Sequence, residues 1–212
     1  MIKNKEDLQF YLDADKFALR KNYRKPKIQD VIWKYQIILR KCEYYRNQPP
    51  TILTKLLSSV FQYRKLKQGL QLGFDIGDNV FGAGLRINHF GGLVVNPDAR
   101  IGMWCDIHQG VNIGAANKLL NEDVGGVPHI GNNVWIGPGA KLYGDITLSD
   151  KVIIGANALV NKSISQKGIY ASCPAKQINT LSTDDYDIAA SNSRIDDFIK
   201  QYPHHSSRVG NI

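Results

Sequence analysis

Residues 128–160, PHIGNNVWIGPGAKLYGDITLSDKVIIGANALV, decide the fold. Aliphatic residues recur there at every sixth position: Ile130, Ile136, Leu142, Leu148, Ile154 and Val160. The same beat runs earlier through Val95, Ile101, Ile107 and Ile113. Glycine follows the aliphatic residue at 77, 102, 114, 131, 137 and 155, and a second small or apolar residue stands four positions on, as at Ala99, Cys105, Val134 and Ala140. A helix is excluded, because 3.6 does not divide six and interior glycines are costly. A plain strand alternates every two residues and has no glycine at a fixed phase. A hexapeptide period marks a parallel β-helix, in which each repeat makes one short flat face and a corner. The aliphatic residue points into a narrow core, and the next lies at the bend, where a side chain would crowd the backbone.

Two places break the beat. Ile76 to Val95 is 19 residues, one more than three hexapeptides, and the extra residue falls within 82–92, around His89. Residues 115–129 lack the repeat and are expected to loop out, and insertions in a solenoid often mark its binding face. Residues 1–70 read as helical. A first helix is capped by Asn4, a second runs from Gln29 to Arg46, and a third from Thr51 to Gln68. They are expected to close the first coil, since a repeat core must be covered at its ends. The predicted division is therefore 1–70 helical, 71–178 β-helix, and 179–212 a polar tail with a short helix at Asp196–Tyr202 and a disordered end.

Composition narrows the class. The chain has 212 residues, 43% hydrophobic and 22% charged, as a soluble globular protein would. The sequence shows no apolar run of membrane-span length and no signal peptide at its start, so a cytoplasmic protein is expected. Cys42, Cys105 and Cys173 are widely spaced and odd in number, which suggests reduced thiols and no disulfide framework. None has a ligand at metal spacing, and no metal is expected. The net charge of +8 is uneven: residues 1–70 hold 16 Lys and Arg against 6 Asp and Glu. No nucleic-acid fold signature accompanies it, and no nucleic-acid partner is expected. A solvated helix face explains most of that charge, and contact with an anionic membrane surface or acidic glycan is the sharper alternative.

Five histidines could do chemistry. His204 and His205 sit in the polar tail and are expected to be solvated, and His108 reads as an outward corner residue. His89 stands at the register slip between Asn88 and Gly91-Gly92, where glycines let a ligand or neighbouring chain approach the backbone. On motif-free grounds it reads as a hydrogen-bonded corner histidine.

The chain resembles the hexapeptide-repeat acyltransferases, most of all the serine acetyltransferase branch with its sugar O-acetyltransferase relatives. The residues that carry this are Phe74-Asp75-Ile76, Ile87-Asn88-His89-Phe90-Gly91-Gly92, Pro128-His129-Ile130-Gly131 through Ala140, and Cys173-Pro174-Ala175-Lys176, within about 72–178. The resemblance implies a left-handed parallel β-helix, a homotrimer, and acetyl-CoA lying between subunits. It makes His89 the catalytic base and Asp75 its partner, with Asp78 as fallback. It also points to Gly114, Gly137, Ala156 and Lys176 as cofactor contacts. A histidine suits removal of a hydroxyl proton because its pKa lies near neutrality, and its second nitrogen needs an orienting partner. This chain departs from the serine enzymes at two points. Asn88 replaces an aspartate before the histidine, and Gly126-Val127 replaces an Arg-His pair. Two lost charged contacts disfavour a zwitterion, so the expected acceptor is a sugar or surface-glycan hydroxyl, near Asn88, His129, Glu122 and Asp123, with serine as the runner-up.

Overall fold

A computed structural model of the chain describes residues 1–116 and 126–209. Three helices lead: α1 (Lys5–Ala18), α2 (Val31–Arg46) and α3 (Ile52–Leu72). Asn4 caps α1 in a reciprocal box with Asp7, as its sequence suggests, and Thr51 does the same for α3 with Thr54. Short strands follow: β1 (Phe74–Ile76), β2 (Arg86–Ile87), β3 (Leu93–Val95), β4 (Arg100–Ile101), β5 (Asp106–Ile107) and β6 (Asn112–Gly114). Then come β7 (His129–Ile130), β8 (Trp135–Ile136), β9 (Lys141–Tyr143), β10 (Thr147–Leu148), β11 (Ile153–Ile154), β12 (Leu159–Val160), β13 (Ile169–Ala171) and β14 (Lys176–Asn179).

The strands stack into three sheets, ordered β1-β3-β6-β9-β12, β4-β7-β10 and β2-β5-β8-β11-β13-β14. All pairings are parallel except the closing β13–β14 pair. The sixth-position residues form one continuous core, with Ile87, Ile107, Ile136 and Ile154 in register along one face. The glycines after them are needed for space between coils. A Cβ on Gly77 would lie 2.5 Å from the Pro97 Cα. Gly77→Ala is therefore expected to cost about 1–3 kcal/mol, read as a lower urea midpoint at unchanged slope. The left-handed corners fall two residues later, at Asn79, Trp104, Asn133 and Asn157.

Register also resolves the slip. Ile76 pairs with Val95, Phe81 bridges Ile101, and Ile87 pairs with Ile107. The side from Ile76 to Phe81 is one residue short of six, and that from Ile87 to Val95 is two residues longer. The surplus is a detour through His89 to Gly92, with Phe90 exposed and Gly91 at φ 114°.

The helices lock onto the first coil. Tyr35 and Leu39 of α2 join the β-helix core, and the Gln36 side chain donates to the Leu85 carbonyl at 2.7 Å. Arg40 is fully buried. It reaches Asp15 of α1 (2.8 Å), Glu43 (3.1 Å) and the carbonyls of Phe81 (3.0 Å) and Gly82 (2.7 Å). Asp15 in turn accepts from the N–H groups of Gly84 and Leu85. Of the 16 basic residues in 1–70, Arg20, Lys21, Arg40, Arg46 and Lys65 hold carboxylates, and of these five only Arg40 is fully buried. Among the described residues no helix is long and apolar enough to cross a membrane.

The tail departs from expectation. Through residue 209 it folds back on α1, with α4 (Asn192–Gln201) starting four residues earlier than its polar sequence suggests. Phe198, Ile195 and Val209 share a second core with Phe10, Ala14, Ala18 and Trp104. His205 is buried there, not solvated. The reason is complementary: α4 has one apolar stripe, and Trp104 and Phe10 offer it a surface.

Candidate functional site

His89 projects from the detour onto the rim of a cavity of about 270 Å³. One wall is the α1–α2 connector and the start of α2, with Lys21, Asp30 and Trp33, and the other is the first coil, with Arg86, Asn88 and Phe90. His89 itself stands outside any strand, and its side chain is exposed.

Charge of both signs surrounds this cavity. Asp30 accepts from the Lys21 ammonium (2.6 Å), the Tyr23 hydroxyl (2.6 Å) and the Lys27 N–H (2.7 Å). The Lys21 and Tyr23 hydrogen bonds hold its carboxyl down at about 2, so it is a carboxylate at neutral pH. Arg86 donates to Asp106 (2.8 Å) and to the side-chain Oδ1 of Asn88 (3.2 Å). Burial pushes the Asp106 carboxyl up against the pull of Arg86. The Asn88 amide donates to His108 Nε2 at 3.1 Å. His108 is covered, 12% exposed at its side chain, and burial with the Arg86 charge lowers its pKa to about 4. It is therefore neutral at pH 7 and able to accept from Asn88. Its ring lies 6.2 Å from that of His89 and 4.7 Å from Trp135. The reading of His108 as a plain outward corner is corrected: the stacked coil puts it against Asn88 and Trp135.

The same edge continues past His108 to Gly137, since the His108 N–H bonds the Ile136 carbonyl and the Gly137 N–H bonds that of Ile154. A Cβ on Gly137 would meet the Ala156 nitrogen at 2.8 Å. Ala156 lines an apolar cavity of about 350 Å³ with Trp135, Ile153, Ile169, Tyr186 and Ile188. Gly114 lies on another sheet, against Tyr143, and Lys176 is exposed on β14.

Other expected groups do not meet His89 within one chain. Asp75 is exposed on β1 opposite Val94, and among the described residues no hydrogen bond or ion pair joins it to His89. Asp78 is held by Arg46 and Lys65, so it does not serve as the fallback. His129 faces out from β7 onto a separate cavity of about 520 Å³ with Tyr11, Asn79 and Arg100. Glu122 and Asp123 lie outside the described residues. Sequence reasoning missed Asp30, Arg86, Asp106 and His108. Arg86 and Asp106 precede Ile87 and Ile107, so the ladder could have stacked them. Asp30 arrives only through space.

With this geometry in view, known proteins place the chain. Residues 128–162 match the family described as bacterial transferase hexapeptide (six repeats). The resemblance to hexapeptide-repeat acyltransferases is borne out, and within them it is to the serine acetyltransferase branch. The chain is 34% identical over 125 residues to a serine acetyltransferase of Staphylococcus xylosus, covering 58% of this chain and 53% of that one. It spans about half the length of the curated relatives it matches. Among solved structures it is similar to a serine acetyltransferase in complex with cysteine (TM-score 0.66, 22% identity, 86% of this chain and 71% of that one). It is also similar to one from Brucella abortus strain S19 in complex with coenzyme A (TM-score 0.63, 22% identity, 82% and 69%). At such identity these two structures speak to the fold.

The expected sugar or glycan acceptor is corrected by these relatives, which are named for serine. The error was physical as well. Charges are absent at Asn88 and Gly126-Val127, but the fold brings others, Asp30, Lys21 and Arg86, to the cavity beside His89.

Proposed function

We propose that this chain transfers the acetyl group of acetyl-CoA to the hydroxyl of serine, with His89 as general base. The observation that carries this reading is the two-signed cavity beside His89. The Asp30 carboxylate suits the serine ammonium, and Arg86 and Lys21 suit its carboxylate. His89 takes the hydroxyl proton as the oxygen attacks the thioester carbonyl. The carbon–sulfur bond then breaks, and the proton passes to the departing CoA sulfur. Neutral His108 and Arg86 hold the Asn88 amide from both sides, which keeps that wall of the cavity in place.

The apolar trough past Gly137 and Ala156 suits the pantetheine arm, and Lys176 lies near the far end of the same sheet for the phosphates. Coenzyme A bound to the Brucella relative supports acetyl-CoA as the donor. We read the β-helix as left-handed and closed at its first coil by the helices. The assembly is read as a homotrimer, because a thin triangular core leaves long faces for three-fold association. Asp75, exposed on β1, is the proposed orienting partner of His89.

The test is thiol release from acetyl-CoA with serine as acceptor, run beside threonine, ethanolamine and a hydroxylated amide. Serine is expected to have the highest specificity constant. Equal use of ethanolamine and serine would show that the carboxylate is not read. Asp30→Asn keeps the shape and removes the anion. Its KM for serine is expected to rise roughly 10- to 100-fold, one charged hydrogen bond, with a smaller change in kcat. An unchanged KM would remove Asp30 from the acceptor site.

A further inference from the structure

Opposite ends of the chain bring three metal-ligating side chains together. Asp13 stands on α1, and His204 and His205 stand in the turn Pro203–His205 that follows α4. One ligand atom from each lies within 4.8 Å of the other two. His205 is fixed by its surroundings. Its ring stacks on Phe198 at 6.0 Å with 5° between planes, and meets the edge of Phe10 at 5.1 Å. Its Nε2 is 3.1 Å from Asp13 Oδ2, and that same oxygen accepts from the Gln9 side chain at 3.0 Å. The exposed His204 ring lies 4.1 Å from that of His205.

An ion pair between Asp13 and His205 would account for two of these groups but not for the second imidazole. Two imidazoles and a carboxylate are the donor set of a borderline-soft divalent ion, and three protein ligands with water complete an open tetrahedral zinc site. Ligands on such an ion lie roughly 3–3.5 Å apart, given bonds of about 2.0–2.2 Å. Asp13 and His205 already have that separation. His204 is exposed and can swing in without disturbing the core. We propose that Asp13, His204 and His205 bind one Zn²⁺ per chain, remote from His89, and that the ion clamps the tail to α1. Gln9 supplies the outer hydrogen bond that orients the carboxylate.

The test uses untagged full-length protein stripped with chelator and titrated with ZnCl₂, with bound metal read by equilibrium dialysis. One zinc per chain is expected, with a melting temperature about 5–10 °C higher at 100 times the dissociation constant. His204→Ala removes a ligand but leaves the Asp13–His205 pair and the packing of His205 on Phe10 and Phe198. It should weaken zinc binding at least about 10-fold and so cut the thermal shift at the same zinc concentration to about half or less, while its chelated melting temperature stays near wild type. MgCl₂ should do nothing for either protein. Equal zinc uptake by wild type and His204→Ala would overturn the proposal, since that metal would sit elsewhere, at Cys173 for example. So would the absence of binding below about 100 µM, with Asp13 and His205 then a plain ion pair.

Discussion

His89→Ala is expected to lower turnover at least about 10²-fold while the protein stays folded. The expectation rests on separable observations. His89 is exposed on a detour outside the ladder, so its loss removes no core contact and should change stability by no more than about 0.5 kcal/mol. It borders the one cavity, among those described, whose walls come from both the helical region and the detour. Loss of a general base typically costs 10²- to 10⁴-fold. The fall should appear in kcat, with coenzyme A affinity unchanged, because the trough past Ala156 does not include His89. A folded His89→Ala protein with near-normal turnover would mean that the proton leaves by another route, and the proposed mechanism would be wrong.

Arg40→Met is expected to destabilise the protein by about 3–5 kcal/mol, a large part of an ordinary domain's stability. The lost cation leaves the Asp15 and Glu43 carboxylates buried together, and the Phe81 and Gly82 carbonyls lose a donor. The pH dependence gives a second reading. Burial already raises the Glu43 pKa above its ordinary value in spite of Arg40. An acid raised in the folded state destabilises folding above its unfolded pKa, and the loss is recovered as pH falls toward that value. Removing Arg40 raises Glu43 further. The deficit of Arg40→Met should therefore be larger at pH 8 than near pH 5, as measured by urea unfolding. A deficit below 1 kcal/mol at pH 8, or one independent of pH, would show that the guanidinium is not what holds these carboxylates. Adding Glu43→Gln should return part of the loss, since one buried charge is then gone.

How much of this was legible follows from what repeats. The six-residue beat put Ile136 and Ile154, three repeats apart, on one ladder, because each coil must present the same inward residue, whereas the places of Ile87 and Ile107 on it, across the slip and the excursion, came from the strand pairing. Three left-handed corners carry asparagine, a residue that adopts this backbone more readily than most, at Asn79, Asn133 and Asn157, and the sequence reading did not use them. Trp104 has the same backbone conformation and could not be read that way. It is held there by packing against Phe17 and Phe198. His89 was visible because it broke the beat. Asp30 and the buried His205 were not, since a period describes neighbours along the stack and both residues lie outside it. The tail was misjudged for the same reason: its apolar stripe is short, and its partners are nearly 190 residues away, at Phe10.

The detour between Ile87 and Val95 has an engineering consequence. The strands on either side of it are in register with the next coil, so the two surplus residues displace nothing downstream. A loop of different length or composition could be spliced between those anchors without re-indexing the rest of the solenoid. The reactive residue is in that sense a cartridge in a frame that does not record what the cartridge holds. Libraries that vary Asn88 and Phe90 while keeping His89 and the positive-φ Gly91 and Gly92 should give a high proportion of folded proteins, and new acceptor preferences could be sought among them without first repairing the scaffold.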